Sequence, residues 1–343
     1  MPKYRVAIIG TGRRHGTPGA TGWGMAHEHM RGYKASVDCQ LVAMADIRLE
    51  NADLFQKEYG GEAIFQDFRQ MLAETKPDII SVCTWPHSHC EIVLAAAEAG
   101  VKAIHCEKPM ALNYGDARRM VQTCEQHAVQ LTFNHQRRFD EEFRKARELA
   151  NSGAIGKLIR VEGVCPNLYD WGTHWFDMCF FYNNENPVEW VIGQVEPRGG
   201  HTVYNVQHEE QGLSYFNFSN GVKGLLLTGH ATKFAGINRL YGEEGMLELD
   251  MTRRPQLRMW GKGMKGWQSV KTDEVHATSL GILNLIEALK TGQEPELSGK
   301  RALKATELIF ATYESARIGG RVELPLQIED SPLVDILERS ERQ

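Results

Sequence analysis

The apolar pattern of the first 134 residues alternates between short runs and longer amphipathic stretches. Apolar runs without polar alternation are typical of strands buried on both faces of a parallel sheet, and the first of these is YRVAII at residues 4–9. The longer stretches end at Gly or before Pro and predict helices. We predict strands at residues 4–9, 40–45, 79–83, 101–106 and 129–133, and helices at residues 25–35, 49–59, 67–74, 89–99 and 113–127. This alternation predicts an α/β fold with a doubly wound parallel sheet, whose ligand crevice lies at the carboxyl ends of the strands.

The pattern changes in the second half of the chain, where strand-like runs follow one another without a long helix between them. The predicted strands include residues 157–164, 213–218, 224–228 and 246–249, and the predicted helices are residues 141–151, 171–182, 279–290 and 300–317, before a last short strand. This order predicts a C-terminal α+β domain with an open, mostly antiparallel sheet. We therefore expect two domains, residues 1–134 and residues 135–343.

The first predicted strand ends in a glycine turn, Gly10-Thr11-Gly12. Glycine at both places lets the backbone turn tightly and approach a pyrophosphate at the N-terminus of the next helix. The full dinucleotide-binding pattern has a third glycine at position 15, where this chain has His15, with Gly16 one place later.

An acidic residue, Asp46, follows the second predicted strand, where a Rossmann domain places the carboxylate that binds the adenosine ribose. It lies 34 residues after Gly12, against a usual separation of about 20. The excess lies in the glycine-rich stretch 13–26. We predict NAD binding, with NADP as the alternative because Arg48 lies near Asp46; an unrelated β-α-β unit with a glycine turn is the other interpretation. The predicted cofactor contacts here are Gly10, Thr11, Gly12, Arg13 and Asp46.

Composition narrows the class of protein. The chain has 343 residues and 42% hydrophobic content, enough for a sizeable core and two domains. Its net charge of -5 gives no electrostatic reason to expect nucleic acid or an anionic membrane as a partner. No apolar run approaches the roughly 20 residues of a membrane span, and no signal peptide precedes the first strand, so a cytoplasmic location is expected. The seven cysteines form no CxxC pair and are expected to be buried free thiols.

Three motifs resemble one enzyme family. They are Thr84-Trp85-Pro86-His87-Ser88-His89 after the fourth strand, Cys106-Glu107-Lys108-Pro109 after the fifth, and Asp170-Trp171-Gly172-Thr173-His174 in the second half. Together they are similar to the Gfo/Idh/MocA oxidoreductases, and the likeness covers nearly the whole chain. One departure is clear, since Gly10 to His29 spans 19 residues here against about eight in the family.

The resemblance implies a fold and a set of contacts. It implies a Rossmann domain for dinucleotide binding, a second domain for substrate binding and oligomerisation, and a homo-oligomer, either a dimer or a tetramer. It also implies a cis Lys108-Pro109 bond and a substrate-contacting arginine after the sixth strand, for which Arg137 is the candidate and a surface ion pair the alternative. The further cofactor contacts that it implies are Thr84, Trp85, Pro86, His89, Glu107 and Lys108.

The expected chemistry is oxidation of a secondary hydroxyl, which requires a base to take the hydroxyl proton. His174 is the candidate base, with Asp170 four residues earlier to orient it. Lys108 is expected to stabilise the reacting oxygen. The alternatives are a satisfied core histidine for His174 and a solvated loop lysine for Lys108. The expected substrate is a sugar, sugar derivative or cyclic polyol, bound by Lys108, Arg137, Asp170, His174 and His230.

Other interpretations remain open. Three histidine pairs, His27/His29, His87/His89 and His201/His208, have no Cys or carboxylate cluster at ligand spacing, and no metal is expected. A glycosidase or lyase that uses bound NAD through a transient keto intermediate is one alternative function, and a nicotinamide-binding sensor without turnover is another. The long loop is expected to fold over the cofactor and shape the substrate mouth, or else to be a solvated surface excursion.

Overall fold

The structure, a computed structural model, describes residues 3–229 and 236–342. In chain order the elements are β1 (Tyr4–Ile9), α1 (Met25–Lys34), β2 (Cys39–Ala45), α2 (Leu49–Tyr59), β3 (Ala63–Phe65), α3 (Phe68–Thr75), β4 (Ile79–Val82), α4 (Pro86–Glu98), β5 (Ala103–Cys106), α5 (Tyr114–Gln126), β6 (Gln130–Phe133), a 3-10 helix (Gln136–Phe139), α6 (Glu141–Asn151), β7 (Leu158–Cys165), α7 (Gly172–Tyr182), β8 (Val188–Glu196), β9 (Thr202–Val203), β10 (Val206–Gln207), β11 (Gln211–Phe218), β12 (Lys223–Gly229), β13 (Ile237–Gly242), β14 (Gly245–Asp250), β15 (Leu257–Gly261), β16 (Gln268–Val270), α8 (Ala277–Thr291), α9 (Gly299–Ile318), β17 (Val322–Glu323) and α10 (Pro332–Glu341).

The chain divides into two compact units. The first contains residues 1–112, 116–136 and 276–303, and the second contains residues 113–115, 137–275 and 304–343. The boundary predicted at residue 134 stays a prediction, and the nearest change between the two units falls after residue 136. The return of residues 276–303 to the first unit differs from the prediction, which assigned all of residues 135–343 to one domain.

The first unit is built on a parallel sheet. Its strands in the described residues lie in the order β3-β2-β1-β4-β5-β6, all parallel. Alternate residues of β1 enter two separate cores, since Ala7 and Ile9 pack in one apolar cluster and Val6 and Ile8 in the other. This burial on both faces is what the uninterrupted apolar run predicts, and it confirms the doubly wound sheet.

Helix α8 completes the first unit by packing on α1. An added Cβ at Gly32 of α1 would lie 2.7 Å from Cβ of Ile282. Ile282, Leu285 and Ile286 of α8 belong to the apolar cluster that also holds Val6 and Ile8. Glycine at position 32 therefore permits the close approach of two helices that are far apart in sequence.

The second unit contains a large mixed sheet. Its described strands lie in the order β16-β15-β14-β13-β7-β12-β11-β8-β17, and the pairs are antiparallel except for β7 with β12. The predicted open, mostly antiparallel sheet is confirmed. No helix within the described residues is both long enough and apolar enough to cross a membrane.

Candidate active site

The glycine turn lies at the carboxyl end of β1. Gly10 has φ +83°, and an added Cβ there would lie 2.7 Å from Cγ2 of Thr84 at the end of β4. Gly12 has φ +55°, and an added Cβ there would meet no atom within 4 Å. Gly10 thus fits tightly against the next loop, while the backbone at Gly12 borders open space. This cradle fits a pyrophosphate, which the backbone must approach closely.

Asp46 lies directly beside this turn, and its carboxylate is held from several sides. One oxygen accepts hydrogen bonds from the N–H of Gly12 at 2.9 Å and the hydroxyl of Thr11 at 3.0 Å. The other accepts the N–H of Arg48 at 2.9 Å. Thr11 is completely buried, and its side chain serves Asp46.

The two ends of the insertion in the phosphate loop lie next to each other. An added Cβ at Gly24, which precedes α1, would lie 2.7 Å from the carbonyl oxygen of Arg13. The N-terminus of α1 therefore returns to the end of the glycine turn despite the insertion. A helix N-terminus beside the turn is the anion site that dinucleotide-binding domains use.

The side chain of Arg13, a predicted cofactor contact, is paired within the protein. Its guanidinium donates to Asn51 at 2.9 Å, to Glu50 at 2.7 Å and to the carbonyl of Pro18 at 2.9 Å. The expected positive charge near the pyrophosphate is instead paired with the acidic first turn of α2, where Glu50 supplies the countercharge.

The loops after β4 and β5 are joined through His89. Its ring nitrogens lie 3.0 Å from the carbonyl oxygen of Thr84 and 2.9 Å from that of Pro109. His89 is completely buried, and burial lowers its pKa despite these two carbonyls. It therefore holds the two loops together and presents no ring atom to a ligand. Helix α4 begins at Pro86, three residues before the prediction, with Trp85 as its N-cap.

Glu107 anchors the segment that carries Lys108. One oxygen lies 2.9 Å from Nε2 of His29 and accepts from Nδ2 of Asn134 at 2.7 Å, and the other accepts the N–H of Lys108 at 3.3 Å. Burial alone would raise the pKa of Glu107, but the bonds from His29 and Asn134 and the charge of Lys108 hold it below its usual range. Glu107 is 6% exposed, so it positions the turn that carries Lys108 from the protein interior.

Lys108 is half-buried within a buried stretch. The Lys108-Pro109 bond is cis, as the resemblance implies. Because β5 is separated from β1 only by β4, Lys108 and the glycine turn share the carboxyl edge of the sheet.

In the second unit, Asp170 and His174 lie at the start of α7. His174 is in the first helical turn, whereas Asp170 lies in the turn that precedes the helix. The two side chains are 7% and 5% exposed. The helix starts at Gly172, so Asp170 and His174 do not lie on one helical face.

Two residues that sequence reasoning missed fix the start of α7. Oδ1 of Asn167 accepts the N–H groups of Asp170 at 2.7 Å and Trp171 at 3.0 Å. Glu209 accepts the N–H of Leu168 at 2.6 Å. An asparagine three residues before a polar motif is a capping signal, but nothing local in the sequence connects Glu209 to this turn.

Glu209 itself is completely buried. Its second oxygen accepts from the hydroxyl of Tyr313 at 2.8 Å. Burial raises the pKa of Glu209 above its usual value, against the opposing effect of its hydrogen-bond donors. It is a buried acid that ties α9 to the segment before Asp170.

The two arginines after β6 differ in their surroundings. Arg138 is buried and makes a bidentate ion pair with Asp177 of α7, with N···O distances from 2.7 Å. Arg137 lies between the rings of Phe143 and Trp175, 5.4 Å and 5.3 Å from their centroids. Arg137 also makes a partly exposed ion pair with Asp140 at 3.4 Å, whereas the pair of Arg138 with Asp177 is buried. His230, the remaining substrate candidate, lies outside the described residues.

Residues 3–229 and 236–342 contain no group of three His, Cys, Asp or Glu side chains that could hold a metal ion. His29, one of the histidines considered for a metal, instead contacts Glu107, Ser81 and Cys83.

A parallel sheet with this glycine turn and an acid after β2 is typical of a dinucleotide-binding domain. Residues 4–135 match the model of an oxidoreductase family with an NAD-binding Rossmann fold. Over these residues the chain is similar to the Gfo/Idh/MocA oxidoreductases.

Two relatives that the chain matches over most of its length are dehydrogenases. The chain is 26% identical to D-apiose dehydrogenase of Paraburkholderia graminis, with 97% of this chain and 93% of that protein covered. It is 25% identical to myo-inositol 2-dehydrogenase of Thermotoga maritima, with 91% and 96% covered. A crystal structure of an oxidoreductase from Agrobacterium radiobacter, in complex with NAD⁺, L-tartaric acid and magnesium, shares the fold with a TM-score of 0.79, 20% identity and coverage of 94% and 98%.

Proposed function

We propose that the protein is an NAD-dependent dehydrogenase that acts on a secondary hydroxyl of a sugar, sugar derivative or cyclic polyol. The observation that carries the proposal is the position of Lys108. Glu107 holds Lys108 at the carboxyl edge of the sheet, and the glycine turn of β1 lies at the same edge. A charged donor at this edge lies where the nicotinamide half of a dinucleotide binds in such folds. The names of the two dehydrogenase relatives, which act on apiose and inositol, support the substrate class.

Each polar residue of the site has a distinct role in this proposal. Bound NAD would accept the hydride from the carbinol carbon. His174 takes the hydroxyl proton, and Asp170 orients His174 and binds a neighbouring hydroxyl. Lys108 donates a hydrogen bond to the reacting oxygen and stabilises its alkoxide character. Arg137 is retained as a candidate substrate contact, since it follows β6, where the family resemblance implies such an arginine.

The experiment is a screen of inositols, aldoses, uronic acids and glycosides with NAD and with NADP, monitored by the absorbance of the reduced nicotinamide. The expected result is net NADH formation with at least one polyol or sugar, lost in Lys108→Ala. Glycoside cleavage without net NADH would instead indicate the glycosidase or lyase alternative. Tight cofactor binding without turnover of any compound in either direction would indicate a sensor and contradict the proposal.

We further propose that the enzyme is a homo-oligomer that pairs through the open face of the large sheet. Gly163 and Gly193 face helices of the second unit, since added Cβ atoms there would meet Trp175 and Thr312. The opposite face carries an apolar row in which Ile192 pairs with Tyr215 and Tyr215 with Leu225.

Ile192 and Leu227 on this open face are each 43% exposed, and an apolar row of this kind favours coverage by a partner. Light scattering at micromolar concentration is expected to give a dimer or tetramer. Leu227→Lys should shift the oligomer toward monomer. The control is Lys262→Glu, which changes an exposed ion pair elsewhere on the protein and should leave the oligomer intact. A monomeric wild-type protein would contradict this assembly.

We place the enzyme in the cytoplasm, and the support is its cysteine chemistry. All seven cysteines are free, five of them buried. Burial raises the pKa of the Cys106 thiol well above its usual value, which keeps it protonated and unreactive. Free thiols of this kind suit a reducing compartment.

A further inference from the structure

The inserted segment of the phosphate loop, residues 13–24, is a compact Ω-loop. Its ends meet where Gly24 abuts the backbone of Arg13. Inside it, the ring of His15 stacks on Trp23 with centroids 4.3 Å apart at 21°, and the N–H of Thr17 donates to the carbonyl of Arg14 at 3.1 Å. A loop closed at its neck, with a stacked aromatic pair inside it, is a compact surface element.

The Ω-loop is attached to α2 at both ends of that helix. Arg13 contacts the first turn through Glu50 and Asn51. Arg14 contacts the last turn through an ion pair with Glu58 and a 2.6 Å hydrogen bond to the hydroxyl of Tyr59. The two arginines are neighbours in sequence, yet only Arg13 reaches the end of α2 that follows Asp46.

Asn51 connects Arg13 to Asp46. Its Oδ1 accepts from Nε of Arg13 at 2.9 Å, and its Nδ2 donates to Oδ1 of Asp46 at 3.4 Å. Asn51 is 6% exposed. Because Asp46 also accepts from the N–H of Gly12, the contacts close into a ring that runs from Gly12 through Arg13, Asn51 and Asp46 back to Gly12.

We propose that Arg13 and Asn51 are positioning residues for cofactor selection, through which the Ω-loop fixes the carboxylate of Asp46 for the adenosine ribose of NAD. This inference rests on the proposed function and on the expected contact of Asp46 with the ribose hydroxyls. A carboxylate that is already oriented binds the ribose at a lower ordering cost. It also keeps its charge directed at the position that a 2'-phosphate would take in NADP. The inserted residues therefore act on the cofactor and not on the substrate mouth.

The test compares Arg13→Ala and Asn51→Ala with Arg14→Ala, which detaches the same loop from the far end of α2 and leaves the ring to Asp46 intact. Dissociation constants for NADH and NADPH are measured by nicotinamide fluorescence, together with the melting temperature and kcat at saturating cofactor. The Arg13 and Asn51 variants should raise Kd for NADH about tenfold, the scale of one charge-assisted hydrogen bond. They should also narrow the preference for NADH over NADPH, with kcat unchanged.

Arg14→Ala should change Kd for NADH by less than about twofold, since a single exposed ion pair contributes little. The inference would be overturned if all three variants raised Kd for NADH equally and left the ratio of the Kd values for NADH and NADPH unchanged. The loop would then act only through the stability of the protein. A raised substrate KM with unchanged cofactor Kd would overturn it as well. Wild-type protein that binds neither dinucleotide would instead refute the proposed function, and the inference with it.

Discussion

Nε2 of His29 lies 2.9 Å from Oε1 of Glu107, with His29 completely buried and Glu107 nearly so. The two residues come from α1 and from the end of β5. Asn134, after β6, donates to the same carboxylate. The Glu107 carboxylate thus joins α1 to the ends of β5 and β6. The turn that carries Lys108 depends on these hydrogen bonds.

Removing the histidine should therefore be costly. His29→Ala leaves a buried carboxylate with one donor fewer and should lower the free energy of unfolding by about 3 kcal/mol in urea denaturation. The matched control is Glu28→Ala, which breaks the half-exposed pair between Glu28 and His276 and should cost less than about 1 kcal/mol. Equal costs for the two variants would show that the buried pair has no special role in stability.

Two buried glutamates should give opposite pH dependence of stability. The pKa of Glu107 is lowered by its donors, so its contribution is present above the usual Glu value near 4.5 and is lost as pH falls. The pKa of Glu209 is raised by burial, so its contribution is present below 4.5 and is lost as pH rises through the folded-state pKa.

Thermal melts between pH 4 and pH 8 of wild type, Glu107→Gln and Glu209→Gln measure these dependences. The advantage of wild type over Glu107→Gln should grow with rising pH, and its advantage over Glu209→Gln should shrink. Parallel curves for all three proteins would show that neither carboxyl titrates differently in the folded state.

The enzyme should prefer NAD to NADP. The charge of Asp46 repels a 2'-phosphate, while its carboxylate suits the ribose hydroxyls. Arg48 is exposed and is the nearby group able to accept the phosphate, so Asp46→Ser should shift the preference toward NADP. The measurement is kcat/KM with each cofactor. A tenfold preference of the wild-type enzyme for NADP would contradict this role of Asp46.

Local patterns were sufficient for much of the fold. The sequence boundaries of β1, α2 and α6 agree with the structure because an apolar run or an amphipathic stretch ends there in a clear signal, such as Gly60 after α2. The parallel pairing of β7 with β12 and the packing of Ile282 against Gly32 were not predicted. Strand and helix partners distant in sequence are set by tertiary packing, on which local periodicity carries no information.

The candidate site shows the same division. Motif spacing identified the glycine turn, Asp46 and the Lys108 turn, whereas the commitment of Arg13 to α2 was missed. Nothing in the sequence around Arg13 indicates that Glu50 and Asn51 lie beside it in the fold. The same holds for Glu209, whose bond to Leu168 spans 41 residues.

The central claim is that His174 acts as the base and Lys108 as the donor to the reacting oxygen. It is tested most directly by kcat of His174→Ala with the substrate found in the screen, measured beside NADH affinity and melting temperature. The account predicts that kcat falls about 10²-fold or more, as for other positioned acid-base groups, with NADH affinity and melting temperature nearly unchanged and with a similar loss in Lys108→Ala. Full turnover in His174→Ala, or a loss of rate that only follows a loss of folding and cofactor binding, would contradict it.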